Sequence, residues 1–402
     1  MFALQKRSFD ARRAQLRSFV CNTAYARQKD RFGLAFEQFL ASRSSGDPRS
    51  ATAPNLQTAT PLDVVRFLHF REKGGRTPVH ALTCPNIGQS DRLDCCPLRL
   101  AAGTVDSYIG QLRAIFNSIG RKGSANPCDS DEVKQWLKAC RLEQLRHRVT
   151  VKQAKPLFST DLRLLVREIQ FRLSQLPANE PFFPQRFVLL RDWAFFTTQW
   201  FCGDRAGDLG RAIASEVVRL DDGSLLYNHT VGKTVREAGG QLLVVPRVAD
   251  EPSLCPVAAF DRYVSACRGV SADLLKGFLF PPTASPSHFS IRDAPFSSNA
   301  ATKRLREYLP DSDLTAHGAR AGCAITLLML GATKESVMEH CRWATEQVCR
   351  HYTKLEKVRR LDSSARLLQD AVLASDGASE ADSAAFLYNI LNSGLGQTPA
   401  IV

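Results

Sequence analysis

In TAHGARAGCAITLLMLG, residues 315–331, two polar side chains stand at the head of an almost wholly apolar run. His317 and Arg320 are three apart, so on a helix they share one face. The apolar run predicts a buried helix. It leaves the polar pair at the helix start, where anions are favoured. A lone His-x-x-Arg is a weak signal, and its meaning depends on the segments around it.

Downstream, HCRWATEQVCRHYTKLEKV (340–358) sets Trp343 and Tyr352 among the basic residues Arg342, Arg350, His351 and Lys354. By itself this is an amphipathic helix with one core Trp and one surface Tyr. Upstream, FVLLRDWAFFTTQWFC (187–202) is apolar almost all round and predicts a buried helix. It runs into FCGDRAGDL (201–209), so Arg205 sits at a buried helix end and needs an anion. That anion is either Asp208 or an external phosphate. Between these segments lie the β-like runs EVVRL, LLYNHTV and QLLVVP. Asp221-Asp222-Gly223-Ser224 turns the first pair. The loop joining the second pair carries Lys233, which taken alone reads as a solvated turn lysine.

Taken in order, Arg205, Lys233, His317, Arg320, Trp343 and Tyr352 resemble the active-site series of the tyrosine recombinase (phage-integrase-like) family. Gly203, Arg205, Asp208 and Leu209 match the family's first motif, with Asp where Glu is more usual. Trp343 precedes Tyr352 by nine residues, the family interval, and Arg320 precedes it by 32. The wording of residues 84–160 is also similar to the helical domain of eukaryotic crypton or DIRS mobile-element recombinases. The resemblance implies a helical core-binding (SAM-like) domain followed by an α+β catalytic domain, the whole being mainly α with a small antiparallel β-sheet.

It also implies a chemistry. Tyr352 would attack a DNA phosphate and hold it as a 3′-phosphotyrosyl ester, with no ATP, metal or other cofactor. Arg205 and Arg320 would offer planar charged forks to the non-bridging oxygens. His317 and the indole N–H of Trp343 would add hydrogen bonds, and His317 would accept the phenol proton. Lys233 would protonate the leaving 5′ oxygen, and Asp208 would stand behind Arg205. A cationic pocket would favour the phenolate over an ordinary tyrosine, whose pKa is about 10. The partners implied are double-stranded DNA and three further copies of the chain, as a homotetramer on two DNA sites. Two alternatives stay open: a type IB topoisomerase-like enzyme, and a domesticated DNA-binding protein without catalysis.

The rest of the chain agrees with a nucleic-acid partner. Its 402 residues carry a net charge of +13 and 44% hydrophobic residues, suited to globular domains meeting a polyanion. The longest low-polarity run, 321–332, is too short to span a bilayer, so no membrane partner is expected. The N-terminus lacks an apolar leader segment. The chain would act where the DNA is: the nucleus in a eukaryote, the nucleoid in a bacterium. Residues 1–60 are expected to be a basic segment and linker, 61–148 the helical domain, 156–375 the catalytic domain, and 376–402 a C-terminal helix exchanged between protomers. Within the helical domain, LDVVRFLHFREKGG (62–75), TVDSYIGQLRAIFNSIG with a cap at Thr104, and SDEVKQWLKACRLEQLR (130–146) read as helices. Lys303, Arg304 and Arg306 on TKRLREYL are candidates to touch DNA, or else a solvated face. Among the 12 cysteines, His80, Cys84, Cys95, Cys96 and Cys128 form a loose group. Adjacent Cys95 and Cys96 do not suit one ion, so no metal is expected.

Overall fold

A computed structural model describes residues 24–44, 54–90, 92–149, 154–177, 184–230, 240–269, 277–284 and 290–352. It divides into two compact units, Met1–Lys152 and Gln153–Val402. The expected C-terminal helix at 376–402 and Lys233 lie outside the described residues.

The first unit contains α1 (Ala24–Ser44), α2 (Pro61–Glu72), the short antiparallel pair β1 (Thr77–Pro78) and β2 (Leu98–Arg99), α3 (Ala102–Ser118) and α4 (Asp131–Arg146). Helix α2 begins where Thr60 and Asp63 cap each other's backbone N–H groups. Ser130 caps α4 by accepting from the Val133 N–H. Two expectations change here. Helix α3 begins at Ala102 rather than at a Thr104 cap. The Gln144 side chain supplies the cap instead, accepting from Ala102 N at 2.9 Å. Helix α1 is also no mere basic arm. Phe32, Phe36 and Leu40 are buried with Val64, Phe67, Leu68, Leu112 and Phe116 in one core. An i, i+4, i+8 apolar stripe in an Arg-rich helix has to be covered, and this core covers it.

The second unit contains α5 (Ser159–Ser174), α6 (Pro184–Phe201), the single turn α7 (Ala206–Leu209), a sheet of β3 (Val217–Arg219), β4 (Leu225–His229) and β5 (Gln241–Val245), then α8 (Pro256–Gly269), α9 (Ser298–Tyr308), α10 (Gly318–Met329), α11 (Lys334–His340) and α12 (Glu346–Tyr352). The strands pair antiparallel in the order β3-β4-β5, with Val218 opposite Leu226 and Leu226 opposite Val244. The protein is thus mainly α with a small antiparallel sheet. Helix α6 is the hub, with Phe187, Trp193, Phe195 and Phe196 buried in the unit's core. Among the described residues no helix is long and apolar enough to cross a membrane.

Candidate functional site

The site is built where three turns of the second unit meet. The first is Phe201–Arg205, leaving α6, and it reverses direction at Gly203 with φ +57. The second is the head of α10. Here Gly318 and Gly322 let the helix lie directly on residues 155–157. A Cβ at Gly318 would come within 2.2 Å of the Lys155 carbonyl oxygen, and one at Gly322 within 1.7 Å of the Leu157 carbonyl oxygen. The third is Cys341–Trp343, between α11 and α12, held by a small core of Ala324, Leu328, Val337, Cys341, Trp343 and Cys349.

These turns bring five of the six expected residues into one cluster. The Tyr352 hydroxyl lies 2.5 Å from His317 Nε2. The Tyr352 ring stacks on Trp343, with centroids 5.0 Å apart and planes at 14°. The Arg320 guanidinium sits 5.3 Å from the centre of the Trp343 ring. Arg205 keeps a side chain 24% exposed, with Nη1 3.4 Å from Asp208 Oδ2. Asp208 is thus paired with Arg205, and Arg211 approaches it at 3.8 Å. The sixth residue, Lys233, falls between β4 and β5 in the sequence and lies outside the described residues.

The electrostatics differ from the expectation in two respects. Burial raises the Tyr352 phenol above its ordinary pKa, although Arg320 and Arg205 both pull it down. Desolvation outweighs the two cations, so the resting phenol is protonated and needs an acceptor. His317 is at that position. Second, Arg320 is only 1% exposed and much of its fork is already engaged. Nη1 donates to the Gly203 carbonyl at 2.6 Å, and Nη2 donates to the Cys341 carbonyl. Its Nε and the Trp343 Nε1 are buried N–H donors with no hydrogen-bond partner in the protein. Burial, with Arg205 and Arg342 nearby, lowers the Arg320 pKa despite the opposing pull of Cys341 and Asp204. Unmet buried donors beside crowded cations form a site that gains from an anion.

Sequence reading missed the residue that ties two of the turns together. Gln199, fully buried on α6, donates through Nε2 to the Asp204 carbonyl at 3.2 Å and to the Ala316 carbonyl at 2.6 Å. Those carbonyls immediately precede Arg205 and His317. A polar residue inside an apolar helix was the available signal.

Of the candidate DNA-contacting residues on α9, Lys303 and Arg306 are exposed. Arg304 turns inward instead. Its Nε is 2.6 Å from the buried Asp192, and it also bonds Glu307 and the Tyr308 hydroxyl. An apolar helix that carries Asp192 needs cations against it, and α9 supplies one.

In the first unit, the expectation of no metal meets a contrary geometry. Ligand atoms of His80, Cys84, Cys95 and Cys96 all lie within 4.8 Å of one another, so neighbouring Cys95 and Cys96 do converge. His80 Nε2 is 2.9 Å from the Gln89 carbonyl, which can only accept. The proton therefore sits on Nε2, and the Nδ1 lone pair faces Cys95 Sγ at 3.3 Å and Cys84 Sγ at 3.7 Å. A His held by a carbonyl behind it, with three thiols before it, is a donor set that fits tetrahedral zinc. Cys128 is not part of it. That thiol is buried in the core, and burial raises its pKa to about 12.

Residues 14–142 match the model of the ALOG domain. Over 141 residues the chain is 35% identical to Protein LIGHT-DEPENDENT SHORT HYPOCOTYLS 5 of Arabidopsis thaliana, covering 34% of this chain and 74% of that protein. It is 34% identical over 126 residues to Protein G1-like5 of Oryza sativa subsp. japonica, covering 31% of this chain and 58% of that one. Among solved structures it is similar to a lambda integrase dimer bound to a COC' core site. The TM-score is 0.43 at 12% identity, over 87% of this chain and 83% of that one.

Proposed function

We propose that this chain, which belongs to the ALOG-domain family through its first unit, binds double-stranded DNA and carries in its second unit a tyrosine-type strand-transfer site. One observation carries the reading. A tyrosine hydroxyl rests on a histidine nitrogen, with an arginine-backed indole stacked beneath it and a second, open arginine in the same cluster.

Tyr352 Oη attacks the phosphorus while its proton passes to His317 Nε2. Negative charge gathers on the non-bridging oxygens. It is met by Arg205 and by the N–H groups that Arg320 and Trp343 hold in reserve. The bond from phosphorus to the 5′ oxygen breaks, and that oxygen takes a proton from Lys233. The 3′-phosphotyrosyl ester conserves the bond energy, so a free 5′ hydroxyl reverses the steps on the same or another duplex. Copies of the chain would pair as a tetramer on two DNA sites. Exposed Lys303 and Arg306 would meet backbone phosphates, while Arg304 stays with Asp192. With relatives in two plants, the nucleus is the compartment proposed.

A second reading, a DNA-binding protein without catalysis, is favoured by where the family match lies. It is confined to the first unit, and that stretch makes up 74% of one relative. The full chain should be incubated with a pool of duplexes carrying bridging 5′-phosphorothiolates, whose cleaved strands cannot be resealed. The strand-transfer reading expects a covalent protein–DNA adduct with the wild type and none with Tyr352→Phe. Equal behaviour of the two proteins, with DNA binding intact, would leave the non-catalytic reading.

A further inference from the structure

We propose that the buried ion pair between Asp204 and Arg342 is a positioning pair, which presets Arg205 and Trp343 around the phosphate; the proposal rests on the strand-transfer reading above. Asp204 is 1% exposed and Arg342 5%. Their side chains are joined, although 138 residues separate them in the chain. Each stands immediately before one of the candidate catalytic side chains.

The two turns are already laced together by other bonds. His340 Nε2 reaches the Phe201 carbonyl at 2.8 Å, and Arg320 Nη1 donates to that of Gly203 at 2.6 Å. Arg342 itself donates to the Cys202 carbonyl at 3.0 Å and the His340 carbonyl at 3.2 Å as well. With these bonds in place, the added charge pair contributes little net stability. Desolvating two ions consumes most of what their attraction returns. What the pair adds is direction. It fixes the backbone on which Arg205 and Trp343 are mounted, and Arg342 takes a left-handed φ of +55 to make the contact. Non-glycine residues held in that region mark places where the surroundings dictate the backbone.

A third group extends the pair to the sheet. His229 is 1% exposed, and its Nδ1 lies 3.4 Å from Asp204 Oδ2, within ion-pair range though not aligned as a hydrogen bond. Burial pushes the Asp204 carboxyl up, but His229 and Arg342 pull it further down, so it is ionised at working pH.

The test uses the full chain with Asp204→Asn/Arg342→Met, which removes both charges, and Arg342→Lys, which keeps the charge and shortens its reach. Thermal midpoint, affinity for a random duplex pool and p-nitrophenolate release from thymidine 3′-(p-nitrophenyl phosphate) are measured together. The double variant, which also gives up Arg342's bonds to the Cys202 and His340 carbonyls, is expected to melt below the wild type, stay folded and bind DNA within about twofold. Its release rate at saturating substrate should fall on the order of 100-fold, the scale of an ångström-level misplacement. Arg342→Lys should lose rate to an intermediate degree with KM unchanged, and it decides the matter if the double variant does not fold. A release rate within a few-fold of wild type in a folded variant overturns the proposal. If the wild type releases nothing, the strand-transfer reading fails on its own. The pair is then judged by binding of orthovanadate, followed by the change it causes in Trp343 fluorescence. About tenfold weaker vanadate binding in the variants sustains the pair, and equal binding overturns it.

Discussion

The two units treat charge in opposite ways. In the first unit the buried polar groups among the described residues are Asp63, His80, Gln111 and Asn126, and none of its described arginines is buried. In the second, Arg191, Asp192, Asp204, Arg320 and Arg342 are all buried. A unit whose task is to meet a polyanion keeps its cations at the surface, where counterion release rewards them. On the strand-transfer reading proposed above, a unit that stabilises a charge developing at one phosphorus would fix its cations in a dry interior, where they need not reorganise. Interior cations have to be balanced, and Asp192 and Asp204 do this. The difference teaches where to strike each unit.

The largest expected effect falls on the second unit. Tyr352→Phe removes only the hydroxyl that contacts His317, so covalent adduct should drop to background while affinity for duplex DNA is unchanged. A gel-shift assay run beside a denaturing gel separates the two readouts. The corresponding strike on the first unit is its donor set. Mass spectrometry under native conditions should find about one zinc per chain, absent in Cys95→Ser. Chelation should melt the first unit and spare the second, since metal binding to such a set is folding free energy. Zinc that survives Cys95→Ser at full occupancy would remove the site from the comparison.

Next in size is the removal of one buried partner. Asp192 is fully buried and is met by Arg191 at 2.6 Å, Arg304 at 2.6 Å and the Tyr308 hydroxyl at 2.7 Å. Asp192→Ala strands two guanidinium groups and should cost the second unit about 3–5 kcal/mol in denaturant unfolding. Acid should act in the same direction. Burial raises the Asp192 carboxyl, but Arg191, Arg304 and Tyr308 lower it more, and Asp204 behaves alike. A folded-state pKa below the unfolded one gives stability that is fully present above about pH 4. It is lost as pH falls through the folded values. In the first unit protons compete with zinc for the donor set, so acid should release the metal and destabilise that unit separately. Circular dichroism with a chelated control distinguishes the two transitions, and a single shared transition would blur the contrast.

How much of this was legible in the sequence follows from the same contrast. Periodicity located α2, α3 and α4, the hub helix α6 and the hairpin strands, because each element's buried face is written in its own spacing. The spaced series from Arg205 to Tyr352 marked out candidates, and five of its six residues lie in one cluster. Pairings across long separations were not legible. Nothing local in Asp204 says that Arg342 will meet it, and nothing in Arg304 says that Asp192 will claim it. The zinc-like set was missed for a related reason. Adjacent Cys95 and Cys96 look incompatible along an extended chain, but in an irregular loop both sulfurs can turn to one point. In helix α1 the arginines that precede Phe32, Phe36 and Leu40 mask a buried stripe that only the tertiary packing reveals.

The smallest expected effect tests the charges that remain outside. Lys303 and Arg306 lie three apart on α9 and are both exposed, while Arg304 between them is tied to Asp192. If α9 faces a DNA backbone, each exposed cation releases about one counterion on binding. Lys303→Ala and Arg306→Ala should then each lower affinity a few-fold, equally for all sequences, and reduce the slope of log K against log salt by about 0.9. Arg304→Ala should leave that slope unchanged and lower the melting point instead, because its charge is spent on Asp192 rather than on solvent. If Arg304→Ala alters the salt slope and the two exposed variants do not, the division between inward and outward cations on α9 is wrong, and with it the contrast drawn between the two units.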